Sequence, residues 1–372
     1  MLLPDAVAKA AAGTGEPTKM PVRTLGKTGV KLPILSMGVD RPDSPTVVRA
    51  AYNSGIMHFD TANGYQNGRN EEMLGNFLED KPRDSYFIAT KIMFPRPSLR
   101  DNFEEDFTDK LETSLARLKM KQVDLLYIHD IREPETVKSE RIMAILQKVK
   151  AEGKTRFIGF STHDQKAEII DAGVDAGIYD VALIGYNFKT AYLEQYERTI
   201  QRAADAGMGL IVMKALAGGV EDAEGKKKIN ASACLKWVWK NKNITTIIPG
   251  LFNYDQLEES VAAAMSPGIT GDEEVYLAAL RGEEMMYCQQ CRQCIGQCPN
   301  NLPIPDIMRA YMYNYGYRQS QKSKDTLLAL DLREETCKEC GTCKVTYPSG
   351  FDVARKIAAV TPVTKIPDEF LA

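Results

Sequence analysis

Two groups of side chains in this chain of 372 residues have the types and spacing to do chemistry, and the first is built from cysteine. Seven of the eight cysteines fall in two runs near the C-terminus. Cys288, Cys291, Cys294 and Cys298, followed by Pro299, reproduce the C-x2-C-x2-C-x3-C-P spacing that wraps thiolates round a 4Fe-4S cluster. Cys337, Cys340 and Cys343 begin a second copy, but Tyr347 stands where its fourth cysteine would precede Pro348. In the two-cluster arrangement the fourth cysteine of each run serves the other run's cluster. Cys298 therefore completes a site with Cys337, Cys340 and Cys343. Cys288, Cys291 and Cys294 are left awaiting a ligand that a phenol, much harder than a thiolate, supplies poorly. The expectation is one complete 4Fe-4S cluster and a second site that is empty, reduced to 3Fe-4S, or left with an open iron. Zinc sites share the two-residue spacings. The third close cysteine in each run and the trailing prolines favour iron. The remaining Cys234 sits alone in an apolar helical stretch and reads as core.

The second group is spread over the first 130 residues. Asp60, Lys91 and His129 each end a short apolar run, and Tyr65 follows Asp60 by five residues. A tyrosine with an ordinary pKa near 10 exchanges a proton at neutral pH only if a cation beside it favours its phenolate. Lys91 can be that cation, Asp60 can hold Lys91 in place and charged, and His129 can orient a carbonyl or join the proton relay. Alone, a buried aspartate at a strand end is more often a helix cap, and a lone histidine more often structural. Four such groups at successive strand ends point to one pocket.

The elements that must position them repeat. From about residue 34 to residue 265 a β-branched or apolar run is followed eight times by an amphipathic helical stretch. The runs are Ile34 to Gly38, Ile56 to Asp60, Tyr86 to Lys91, Val123 to His129, Thr155 to Ser161, Val181 to Tyr186, Leu210 to Met213 and Thr245 to Ile248. Each is short enough for a parallel strand buried on both faces. Phe103, Phe107, Leu111, Leu115 and Leu118 form a helical stripe, Ser44-Pro45 reads as a cap and first-turn proline, and Gly55 as a stop. Eight such units close into a (β/α)8 barrel, with catalytic groups at the C-terminal strand ends. An open doubly wound sheet would want a Gly-rich turn after its first strand, and none is present.

The length suits one barrel plus one small domain. We expect a flexible N-terminal segment at 1–21, the barrel at 22–285, and a small helical ferredoxin-like domain with its tail at 286–372. Between the cysteine runs, the tyrosine-rich stretch Tyr311 to Tyr317 reads as packing against the barrel rather than a platform for bases. With 47 basic against 50 acidic residues, net charge −3, there is no basic face for nucleic acid. No apolar stretch approaches the ~18 residues of a membrane span. Clustered cysteines in a chain this long suggest metal ligands and the cytoplasm, although Leu2-Leu3-Pro4 and the small residues Ala6 to Ala12 also fit a trimmed export signal.

Phe59-Asp60-Thr61-Ala62, Gly64-Tyr65, Ala89-Thr90-Lys91 and Tyr127-Ile128-His129 resemble the aldo-keto reductase family. So do the hairpin Leu25-Gly26-Lys27-Thr28-Gly29 and the Pro249-Gly250 loop. The likeness runs from about residue 22 to residue 265. With the cysteine region added, the chain resembles the subgroup carrying a C-terminal 4Fe-4S domain. The resemblance implies an NAD(P)H-dependent reductase of an aldehyde or ketone, with sugar-derived carbonyls among the candidates and Tyr65 donating the proton. It further implies that Ser161 and Thr162 hold the carboxamide and Met213 stacks on the nicotinamide. Lys214 through Gly219, including Leu216 and Gly218, would cradle the phosphates, and Gly250, Gln256 and Glu259 the adenosine half. Two positions depart from the pattern. Leu183 replaces a glutamine that bonds the carboxamide, and Gly250 and Gln256 replace cations that grip a 2'-phosphate, which leaves NAD or NADP open. The alternative is a cofactor-binding electron-transfer or regulatory subunit with a vestigial barrel site and a redox partner protein. Substrate selectivity would lie in loops 92–100, with Arg96 and Arg100, and 214–230.

Overall fold

The computed structural model describes residues 19–40, 45–93, 102–218, 229–282, 287–332, 337, 340, 343–346 and 352–371. Ser44, Arg96, Arg100 and Tyr347 lie outside them. A hairpin of β1 (Val22–Thr24) and β2 (Lys31–Pro33) comes first. Eight parallel strands follow: β3 (Met37–Gly38), β4 (His58–Asp60), β5 (Phe87–Ile92), β6 (Val123–Ile131), β7 (Thr155–Thr162), β8 (Val181–Gly185), β9 (Gly209–Met213) and β10 (Thr246–Ile247). Neighbours in sequence are neighbours in the sheet, and the bridges Leu35 to Ile247 and Gly38 to Gly250 join the last strand to the first. The result is a (β/α)8 barrel, as the eight-fold repeat requires.

The hydrophobic effect assembles it in two layers. Strand residues facing outward pack with the inner stripes of the helices, and Phe103, Phe107, Leu111 and Leu115 on helix Phe103–Arg117 are all buried there. Residues facing inward form a separate plug of Phe87, Leu125, Tyr127, Val181, Leu183 and Ile211, to which the hairpin adds Leu25 and Leu32. Full burial of each such side chain contributes about 1.5–3 kcal/mol before entropy is counted. Arg23 fixes the hairpin by donating to the carbonyls of Trp239, Asn241 and Ile244 at 2.7, 3.0 and 2.6 Å. The hairpin turn needs glycine at position 26, where φ is +48° and a Cβ would lie 2.4 Å from the Gly207 carbonyl oxygen.

The first and last strands are shorter than the apolar runs that announce them. Ser36 N–H donates to the Ile247 carbonyl at 2.8 Å, but the seam between β10 and β3 holds only isolated bridges. Beyond helix Gly271–Gly282 the chain forms a second core of its own around Tyr287, Ile304, Ile307, Met308, Leu327, Val353, Ile357 and Val360. Helices Ile304–Tyr311, Ser320–Ala329 and Val353–Val360 supply most of it, and the first runs into a π-helical turn, Met312–Gly316. This C-terminal unit sits on the end of the barrel where the strands finish. No helix of the described residues is long and apolar enough to cross a membrane.

Candidate active site

Asp60 ends β4 opposite Ala89, and Lys91 stands two residues further along β5, one before its end, so both side chains face the same side of the sheet. Lys91 Nζ donates to Asp60 Oδ1, to the Thr61 carbonyl at 2.6 Å and to Tyr65 Oη at 3.4 Å. Both members of the ion pair are buried, Lys91 at 1% and Asp60 at 2% exposure, so neither charge survives without the other. Burial raises the Asp60 carboxyl above its ordinary range, and Lys91 opposes that shift. Tyr65 leads the turn that follows β4, and its ring meets His129 edge-on with centroids 5.8 Å apart. Burial first, then the carboxylates Asp40 and Asp60, hold the Tyr65 phenol protonated well above the ordinary tyrosine range. Burial and Lys91 push the His129 imidazole down to about 3, so it is neutral at any physiological pH. Proton donation from Tyr65 beside a neutral hydrogen-bonding imidazole is the chemistry this arrangement can perform.

A bulge in β6 aims its last residues in two directions. The register against β7 shifts between Ile128 and Ile131, and Asp130 takes the left-handed conformation at φ 57°. His129 thereby faces Tyr65, while Asp130 faces the C-terminal unit. There Arg309, buried on helix Ile304–Tyr311, donates to Asp130 at 3.1 Å, to Asp164 at 3.3 Å and to Gln290 at 2.6 Å. Arg132 extends the cluster to Asp130 at 3.2 Å and to Asp306. Nearer Tyr65, Lys322 pairs with Asp40 at 3.1 Å and Gln319 donates to the same carboxylate at 3.2 Å. A narrow pocket remains between the two units, lined by His163, Lys166, Asn187, Lys214, Arg309 and Tyr313 among others.

Comparisons by sequence identify the family. The profile of the aldo/keto reductase family matches residues 29–231. L-galactose dehydrogenase of Arabidopsis thaliana is 32% identical over 285 residues, which span 66% of this chain and 88% of that protein. The chain belongs to the aldo/keto reductase family. D-threo-aldose 1-dehydrogenase of a Pseudomonas species is 33% identical over 182 residues, 42% of this chain and 53% of that protein. The solved aldo-keto reductase of Bacillus halodurans in its holo form is alike in fold, with a TM-score of 0.58 at 20% identity over 70% of this chain and 96% of that one.

In this aldo/keto reductase the residues expected to hold a dinucleotide line the same end of the barrel, but several are engaged elsewhere. Ser161 accepts from the Asp130 N–H at 2.9 Å, and Thr162 donates to the carbonyls of Ile131 and Asp164. Met213 closes β9 at the mouth, whereas Leu183 is wholly buried in the inner plug. Lys214, Ala217 and Gly218 all have positive φ, the curled backbone that presents N–H groups to an anion. That loop is covered. A Cβ on Gly218 would lie 2.8 Å from the Tyr287 Cβ and 3.2 Å from Met312 Sδ, Gln289 donates to the Ala217 carbonyl at 3.0 Å, and the Lys214 ammonium sits 4.5 Å from the Tyr317 ring. Leu216 packs with the small cluster around Phe188 and Cys234. Gln256 accepts from Phe252 N–H at 2.9 Å, the Phe252 ring fills the space beside Gly250, and Glu259 accepts from Ser232 N–H at 3.4 Å.

The cysteines fall into two neighbourhoods. Burial raises the Cys337 thiol, and the proximity of Cys298, Cys340 and Cys343 raises it further. Cys294 is raised by burial and then by Cys291. Cys288 accepts from Gln290 N–H at 3.2 Å. Among the described residues no three His, Cys, Asp or Glu side chains converge closely enough to hold a metal ion.

Asp130, Asp164, Arg309, Asp40, Lys322 and His163 at this site were not singled out by sequence. Asp130 follows His129, and His163 with Asp164 follows Thr162, so position at strand ends was a usable signal for those three. Arg309 and Lys322 carry none, because solvated arginines and lysines on a helix look the same.

Proposed function

We propose that this aldo/keto reductase transfers hydride between a nicotinamide dinucleotide and a carbonyl compound, with Tyr65 as the proton donor. The observation that carries the reading is the contact of buried Lys91 with Asp60, Thr61 and Tyr65, beside neutral His129. The dinucleotide, when bound, supplies the hydride. Ser161 and Thr162 would hold its carboxamide and Met213 its ring, while Lys214, Leu216 and Gly218 would line its phosphates and Gly250, Gln256 and Glu259 its adenosine half. The left-handed backbone at Lys214, Ala217 and Gly218 supports that fit. His129 orients the carbonyl oxygen toward Tyr65 Oη, Tyr65 gives its proton as negative charge grows there, and Lys91 stabilises the phenolate left behind. Two relatives named as sugar dehydrogenases support a sugar-derived substrate. The test follows dinucleotide oxidation against a panel of aldehydes, ketones and aldoses. Failure to turn over any of them despite tight dinucleotide binding would favour a regulatory or electron-transfer subunit, a second reading supported by the covered loop at Gly218.

Gly250 and Gln256 bring no cation to the adenosine half, so NADH is the better cofactor of the two. Gln256→Arg raises kcat/KM with NADPH about tenfold and leaves the NADH value little changed. Steady-state kinetics with both cofactors checks this.

We further propose a small cytoplasmic protein of two units, a barrel over 22–285 and a cysteine unit over 286–372 that holds one complete 4Fe-4S cluster on Cys298, Cys337, Cys340 and Cys343. The influence of Cys298, Cys340 and Cys343 on the Cys337 thiol and the preference of iron-sulfur for soft thiolates support that set, although among the described residues the thiols do not converge closely enough to hold a metal. Cys288, Cys291 and Cys294 form the incomplete site. Hydride moves two electrons at once and a cluster moves one, so the cluster is structural unless a redox partner protein is present. Iron and acid-labile sulfide accompany the anaerobically purified protein and are lost in Cys340→Ser. Stoichiometric zinc without iron would overturn the cluster.

A further inference from the structure

Lys322 lies outside the barrel in sequence and inside its site in space. It belongs to helix Ser320–Ala329, part of the C-terminal unit, yet its ammonium stands 5.7 Å from the centroid of the Tyr65 ring and 4.6 Å from that of Tyr313. Its carboxylate partner is Asp40, just past β3, at 3.1 Å. Gln319, the residue before the helix, donates to the other oxygen of Asp40, so two groups of the C-terminal unit converge on one acid of the barrel. We propose that Lys322 is a positioning residue of the barrel site: by neutralising Asp40 beside Tyr65 it makes proton donation depend on a docked C-terminal unit. This rests on the reading of Tyr65 as the donor.

The charges around Tyr65 decide the sign. Lys91 and Asp60 approach from β5 and β4, His129 and Asp130 from β6, Asp40 from the loop after β3, and Tyr313 and Lys322 from the C-terminal unit. Lys214 adds a further cation close to Tyr313 and Lys322. Lys91 and Asp60 balance each other, and Arg309 balances Asp130. Among charged groups Asp40 has the largest influence on Tyr65, and it disfavours the phenolate. With Lys322 in place the pair is neutral. With Lys322 gone, a net negative charge faces the phenol, which then holds its proton more tightly and is a weaker acid. Asp40 and Lys322 are 34% and 38% exposed, so solvent screens much of the effect.

The test uses the full-length protein with its metal content intact. Lys322→Gln moves the alkaline limb of the pH–rate profile for carbonyl reduction up by about half a unit and lowers the plateau about threefold. Asp40→Asn moves the limb down, Lys322→Arg restores the wild-type profile, and Lys322→Gln with Asp40→Asn together returns close to it. A loss of fold or docking alone would not produce opposite shifts that cancel. A fluorinated tyrosine at position 65, titrated by fluorine NMR, reports the same shifts without turnover. If no carbonyl is reduced, the proposed activity fails while the NMR titration still decides this inference. Identical titration in wild type and Lys322→Gln, with the C-terminal unit docked, would overturn it.

Discussion

Tyr65→Phe lowers carbonyl turnover by about three orders of magnitude while dinucleotide affinity stays within about twofold, because only the transition state needs the phenolic proton. The substitution removes one oxygen and leaves the ring against His129 and under Lys322, so the pocket keeps its shape. Lys91 retains Asp60 and the Thr61 carbonyl, and the buried ion pair stays intact. Loss therefore falls on kcat rather than on binding. The checks are stopped-flow hydride transfer and fluorescence titration of the dinucleotide. A Tyr65→Phe protein that keeps a tenth or more of wild-type kcat would sink the role of Tyr65, and the proton would then have to come from His129 or water.

Arg309→Met releases the C-terminal unit. The methionine fills much of the same volume but takes the buried guanidinium away from Asp130 and Asp164, at a cost of up to about 3–5 kcal/mol for breaking a buried pair. Arg132 reaches both acids, at 3.2 and 3.6 Å, and limits the loss without replacing the forked contact. Amide exchange over helix Ile304–Tyr311 should quicken by a factor of 100 or more, on the order of that energy. The same cluster fixes a pH dependence. Burial raises Asp130, but Arg309 and Arg132 outweigh it and hold the carboxyl below the ordinary carboxylate range. A folded-state pKa depressed in this way contributes stability that is present above the unfolded value near 4 and is lost as pH falls through the folded value. Docking is thus secure at neutral pH and weakens in acid. Asp164, raised by burial despite Arg309, has the opposite sign: its protonation favours the docked state, so the weakening in acid belongs to Asp130. Unchanged exchange in Arg309→Met would show that apolar contacts at Tyr287 and Met312 hold the unit instead.

The barrel was legible because its strands are buried on both faces and its helices on one, so hydrophobicity alone writes the repeat into the sequence. Strand ends were legible too: Asp60, Lys91 and His129 stand where a polar residue interrupts an apolar run, and those interruptions are the barrel mouth. Tyr65 required the family motif, since nothing local distinguishes it from any loop tyrosine. The covering of Gly218 by Tyr287 and Met312 could not be read, because a glycine in a phosphate loop looks the same whether an anion or a side chain faces it. Likewise, Gln256 carries no sign that its side chain bonds Phe252. Interface charges are the hardest case. Arg309 is buried and Lys322 only partly, yet both come from amphipathic helices whose polar faces suit water equally well until a partner is known.

The arginine cluster also orders events during folding. Asp130 stands in the bulge of β6 and Asp164 just beyond the end of β7, and only in-register pairing of those strands sets the two carboxylates within reach of one guanidinium. A one-residue slip would turn them away. The seat for the C-terminal unit therefore does not exist on a nascent or misaligned barrel. Synthesised after the barrel, that unit finds a place only on strands already correctly paired, and its attachment certifies the strands beneath it.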